Sequence, residues 1–244
     1  MPILTQMEAN ATPLEQPICL DKNSRRRFGI TVLDSLLPNG VPTPCTWLIA
    51  ADPETASDTL SKELLHEHLG SSRNARALWL SLENFIDDLR METDAAGINE
   101  HQLEFVDCYS SQLGVESLER YSADPANLPH LAMVTSKALS NISGKGNLLV
   151  ILDSLSSLIR KAGLKGSTEF FRVLRGKTRS VNASLLTSLN RAAFSEAVLA
   201  TYVEIADVVL ELVCASPTGR LRVRKARNLN YDSSWLPYQI DSER

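Results

Sequence analysis

The chain has 244 residues, 22% of them charged, and a net charge of −4. That length supports one α/β domain with a substantial core, and the charge content excludes a wholly disordered chain. A mildly acidic balance gives no global pull toward nucleic acid or anionic membranes.

Cys19, Cys45, Cys108 and Cys214 lie far apart and form no C-x-x-C pair, as expected of free thiols in a reducing compartment. No apolar run approaches the roughly 20 residues that span a bilayer. The N-terminus lacks a basic-then-apolar leader pattern. A cytoplasmic protein without membrane contact is the expectation.

Residues 1–24 carry Pro2, Pro13 and Pro17 and no sustained periodicity, so an extended N-terminal arm is expected there. The domain proper then runs over 25–244. It begins with Arg25, Arg26 and Arg27, a short cluster that by itself reads as solvated surface. An apolar turn covers 28–37, and Pro38, Asn39, Gly40 and Pro42 break the chain. Residues 46–50 read as a buried strand. A helix follows with Leu60, Leu64, Leu65 and Leu69 near one face.

Strands are expected at 77–82, 103–108, 147–153 and 184–189. Helices are expected at 84–96, closed by Gly97, and at 131–142, with an irregular stretch over 110–129. A helix over 154–161, a loop at 163–166 and a second helix through Phe170, Phe171, Val173 and Leu174 come next. Strands at 207–213 and 220–227 flank Ser216-Pro217-Thr218-Gly219, a hairpin signal, and 236–240 is a last candidate strand. Alternating strands and helices imply right-handed crossovers and a mostly parallel sheet, with an antiparallel hairpin at its C-terminal edge.

The stretch 46–69 has the strand, loop and helix order of a phosphate-binding loop, G-x-x-x-x-G-K-[ST]. Ala51 and Ala56 stand at its glycines, Ser57 at the lysine and Asp58 at the magnesium-binding hydroxyl. Glycines let backbone N–H groups curl around phosphate oxygens, and alanines restrict that curl. The whole segment Asp52, Pro53, Glu54, Thr55, Ala56, Ser57, Asp58 and Thr59 is the candidate nucleotide loop. Its acids oppose the role: a carboxylate about 5 Å from a phosphate charge costs roughly 3 kcal/mol at an effective dielectric near 20. Thr55 and Asp58 suit a helix-capping box instead.

In N-L-L-V-I-L-D the acid Asp153 ends a central parallel strand at a crevice; the plain reading is that it caps the helix beginning at Ser154. Glu83 likewise ends a strand. Arg220, Arg222 and Arg224 share one strand face, the plain reading being a solvated edge. His66 and His68, two apart on a helix, do not face each other, so no metal site is expected. Trp47, Trp79 and Trp235 read as packing residues.

Taken together, these segments resemble the RecA-like ATPases, in their single-domain KaiC/RadA-type branch. F-G-I-T-V-L-D-S-L-L-P-N-G-V-P is similar to that family's lead into the phosphate loop, and A-L-W-L-S-L-E-N to the strand ending in catalytic acids. N-L-L-V-I-L-D-S-L-S-S-L-I resembles its Walker B strand, and L-L-T-S-L-N-R the strand after it. R-V-R-K-A-R-N-L-N-Y-D-S-S-W-L-P-Y-Q-I resembles its K-x-R-G-x-x-H ending, with Asn228 and Tyr231 in place of the glycine and histidine. The likeness runs from about Arg27 to Asp241.

The resemblance implies a RecA-like three-layer αβα sandwich that assembles into rings or filaments, with ATP held between subunits. It makes Asp153 the Walker B acid and Glu83 the first catalytic acid, with Asn84 in place of a second. Lys225 and Arg227 become the cations offered in trans to a neighbour. With the phosphate loop lost, the expectation is a non-catalytic regulatory subunit without a cofactor, partnered by itself or by paralogous RecA-like subunits. ATP with magnesium enters only if the alternative, a weak ATPase, holds. A third reading is an RNA- or DNA-binding subunit resembling Elongator, whose RecA-like subunits lack ordinary phosphate loops and form a ring that handles tRNA.

Overall fold

Runs of Val, Ile and Leu with few polar interruptions favour strands buried on both faces, and they set the frame of the molecule. The computed structural model describes residues 25–53, 55, 57–144, 147–214 and 219–238. The expected N-terminal arm, residues 1–24, lies outside them, as do Glu54, Ala56, the hairpin tip 215–218 and residues 239–244. Five strands, β3 (Thr46–Ala51), β4 (Arg76–Ser81), β5 (Leu103–Asp107), β6 (Leu148–Asp153) and β7 (Ala183–Asn190), pair in parallel, with β8 (Val208–Val213) parallel to β3. The antiparallel strands β9 (Gly219–Ala226) and β10 (Leu236–Tyr238) extend the sheet beyond β8. The order is β10-β9-β8-β3-β7-β6-β4-β5, and a separate ribbon pairs β1 (Arg25–Arg26) with β2 (Val41–Pro42).

Alternation along each strand divides the core in two. Trp47, Ile49 and Ala51 of β3 face one layer, with α1 (Thr31–Leu36), α2 (Ser57–Gly70) and α3 (Ile86–Ala95). Leu48 and Ala50 face the other, with α4 (Leu128–Ile142), α5 (Leu155–Ser180) and α6 (Glu196–Ile205). Each fully buried Leu or Phe contributes on the order of 1.5–3 kcal/mol, so two such layers hold the sheet between them. Among the described residues no helix is long and apolar enough to cross a membrane.

Several local readings change. The apolar stretch 28–37 contains a helical turn, α1, whose Asp34 carboxylate accepts from the Phe28 and Gly29 amides at 2.8 and 3.2 Å. The expected loop at 163–166 shortens to a kink at Gly163 (φ 71°), which divides α5 into the two helices that the sequence suggests, the second already running at Gly166. α6 was not anticipated: the sequence reading assigned no element between the strands at 184–189 and 207–213. α4 begins at Leu128 with Pro129 in its first turn, where a missing N–H costs nothing.

The basic strand also departs from expectation. β9 is not an edge, since β10 pairs outside it. Arg222 and Arg224 do share a face, but they clasp the buried Glu211 carboxylate of β8, at 2.7 and 2.6 Å. Arg222 also lies over the Trp235 ring, 4.5 Å from its centroid. Two of the three arginines are therefore spent on an internal charge rather than on solvent.

Candidate functional site at the carboxyl ends of the strands

Parallel register brings the strand ends into line: Ser81 lies opposite Asp153, and Ala51 opposite Asn190. Beyond them opens a cleft of about 160 Å³, lined among others by Asp58, Lys62, Asn84, Glu92 and Asp153. Crevices at this end of an open α/β sheet are where ligands bind.

Asp153 sits at the cleft floor. Burial, then the charges of Glu83 and Asp58, push its pKa up to about 7. Asn84 moderates this by donating from its side chain at 3.4 Å. Asn84 is aimed there by a tight turn, in which the Ser81 hydroxyl donates to the Asn84 carbonyl at 2.7 Å. That turn also delays α3 to Ile86, two residues later than the sequence suggests. The Trp79 indole N–H borders the same space and, like Asn84, works against the rise by facing the Asp153 carboxylate, though outside strict hydrogen-bond geometry. Asp153 does not cap α5, contrary to the plain reading. Ser154 is the cap, its hydroxyl accepting from the Ser157 amide at 3.4 Å.

Glu83 is held away from the cleft floor. Its Oε1 accepts from the hydroxyls of Ser154 and Ser157 at 2.5 and 2.6 Å, with Arg160 at 3.4 Å. The carboxylate thus ties β4 to the start of α5.

The candidate loop turns on its own backbone. Thr55 donates its hydroxyl to the Asp52 carbonyl at 2.7 Å, and the Ser57 amide donates to the Thr55 carbonyl at 2.8 Å. Among the described residues the expected capping box has no counterpart: α2 starts at Ser57, and the Thr55 hydroxyl makes its hydrogen bond to Asp52 rather than to the first turn of the helix. Asp52 faces Arg191 at 3.9 Å. Ser57 and Asp58 open α2, Thr59 is exposed, Pro53 is exposed, and Glu54 and Ala56 lie outside the described residues.

Among the described residues that line the cleft, one is a cation outside the motif positions. Lys62, one turn beyond Asp58, pairs with Glu92 at 2.5 Å. The i, i+4 spacing from Asp58 is its sequence signal. Among the described residues no cluster of His, Cys, Asp and Glu is placed to hold a metal ion.

Lys225 and Arg227 lie elsewhere. The Lys225 ammonium donates to the carbonyls of Val203, Glu204 and Ala206 at 2.6, 3.1 and 2.7 Å. Arg227 donates to the Glu204 carbonyl at 2.9 Å and faces Asp207 at 3.7 Å. Both close the C-terminus of α6, where orphan carbonyls and the helix dipole favour cations. Burial, then Arg227, lower the Lys225 pKa.

Residues 44–212, from the approach to β3 to the end of β8, match the family described as a family of unknown function, DUF7504. The chain belongs to the DUF7504 family. The match contains the whole cleft and stops short of Lys225 and Arg227. No curated protein matches the sequence. Among solved structures, the chain is similar to the KaiC-like protein PH0186 from the hyperthermophilic archaeon Pyrococcus horikoshii OT3, with a TM-score of 0.66 and 19% identity over 89% of this chain and 96% of that one. At that identity the likeness is one of fold, and it establishes a RecA/KaiC-like fold for this DUF7504 chain: an α/β sandwich with a mostly parallel sheet and C-terminal antiparallel strands.

Proposed function

We propose that this chain is a non-catalytic RecA/KaiC-like subunit, a pseudo-ATPase that acts through assembly with itself or with related subunits. The observation that carries this reading is the charge of the cleft. Asp58 stands where a magnesium-binding hydroxyl belongs, Ser57 where the phosphate lysine belongs, and Asp58 and Glu83 together help raise Asp153 to about 7. A site whose own carboxylates already repel one another opposes a triphosphate. Phosphoryl transfer depends on charge compensation at the γ-phosphate, and the nearby ammonium, Lys62, is paired with Glu92.

Lys225 and Arg227 fit a neighbour's nucleotide site only if they release the α6 carbonyls. Three charge-assisted bonds at Lys225 make that exchange unfavourable unless phosphate oxygens replace every one. A weak ATPase is the second reading, favoured by Asp153 and by Lys62 in the same cleft. The restoring double variant Ser57→Lys, Asp58→Thr tests between them. The non-catalytic reading expects no magnesium-dependent phosphate release from the unmodified protein and measurable nucleotide affinity only in the variant. Turnover by the unmodified protein would favour the second reading.

A further inference from the structure

A second cavity, of about 410 Å³, opens at the other end of the sheet, where β3, β6 and β7 begin. We infer that it binds a small organic anion whose apolar body lies on the aromatic wall and whose charge meets the arginine rim. Its size falls among small-molecule sites.

The wall is formed by Phe28 and Trp47, packed edge to face at 4.8 Å, with Leu148 and Leu186 behind them. The rim carries Arg25, Arg26 and Arg27 against one acid, Glu67. The buried ring of His68 adds no charge. Its Nε2 meets the carbonyls of Arg76 and Asn147 at 3.0 and 3.2 Å, so that nitrogen carries the proton and Nδ1 accepts from Arg26. Arg26 is further fixed by donating to the Glu67 carbonyl at 3.0 Å. One guanidinium is therefore held in place, and Arg27 donates to the Pro38 carbonyl at 3.3 Å. Arg25 and the side-chain amides of Asn147 and Asn182 have no partner among the described residues. Donors left open beside an apolar wall, with a net positive rim, select an anion that also has apolar surface. Simple solvated surface would explain the arginines but not an aromatic cavity behind them.

The probe is 1-anilinonaphthalene-8-sulfonate, titrated by fluorescence into the full chain, with uncharged N-phenyl-1-naphthylamine as its isostere. The cavity should take one sulfonate per chain, with the neutral isostere at least tenfold weaker. The rim variant Arg25→Ala, Arg27→Ala should weaken sulfonate binding at least tenfold, and Arg25→Lys, Arg27→Lys should retain most of it. The Arg27 side chain makes one exposed hydrogen bond, to the Pro38 carbonyl, so near-ultraviolet circular dichroism checks that each variant keeps its packing. Absence of binding, equal binding of the neutral isostere, or indifference to the alanine substitutions would overturn the assignment.

Discussion

Asp153 and His68 are titratable groups whose burial opposes charge, and they act on stability with opposite signs. Asp153 is raised from 3.8 to about 7. Between those values the native state holds a proton that the unfolded chain has released, so stability declines as pH rises from about 4 to about 7. His68 is lowered from 6.5 to about 4, by burial and then by Arg26. Here the unfolded chain takes up a proton that the native state refuses, so stability declines as pH falls through the same range. The two slopes largely cancel in the unmodified protein. Asp153→Asn should be more stable at pH 8 by about 1–2 kcal/mol, since the full shift at 1.36 kcal/mol per unit is reduced by the open cleft. It should also unmask a loss of stability below about pH 6.5, the upper limit of the His68 range. Urea melts at pH 5 and pH 8 check both; a destabilised variant at pH 8 would contradict this account of the cleft. At Gly40, a side chain would place its Cβ 2.4 Å from the Arg26 carbonyl at a φ of +62°. Gly40→Ala should therefore cost more than about 2 kcal/mol, read as a lower urea midpoint at unchanged slope, because neither backbone can yield cheaply.

The C-terminus of α6 shows how a motif and a structural device share residues. Lys225 satisfies three carbonyls there. Lys225→Met keeps the aliphatic stem and removes the donors, so it should cost about 1–2 kcal/mol, read as a lower melting temperature with loss of helical signal. An unchanged melting temperature would mean that the ammonium is held there without stabilising the helix. Sequence patterning located the parallel strands and most helices within a few residues, because strands buried on both faces leave long apolar runs. It missed α6, whose run merges into β8 without a glycine or proline at the join. It placed the break between two helices rightly at Gly163 but carried it too far, since Gly166 is helical and packs its bare Cα against Leu128. The cleft was legible only at its motif positions. Asp153 stands out as an acid ending an apolar run. Lys62, Glu92 and the serines that hold Glu83 become neighbours only through crossovers.

At the scale of the whole molecule, one sheet presents two ends with opposite character. The carboxyl ends gather Asp58, Glu92 and Asp153 around a small cleft with one paired lysine. The amino ends gather three arginines around a larger cavity with an aromatic wall. Under the function proposed above, the acids at the first of these ends oppose a triphosphate. Calorimetric titration of the full chain with magnesium-ATP at low ionic strength, where attraction to a phosphate would be strongest, bears on this most directly. No heat of binding should be seen up to about 1 mM nucleotide, an affinity weaker than roughly −4 kcal/mol. Stoichiometric binding with a dissociation constant near or below about 10 µM would contradict the claim that the cleft has lost its triphosphate.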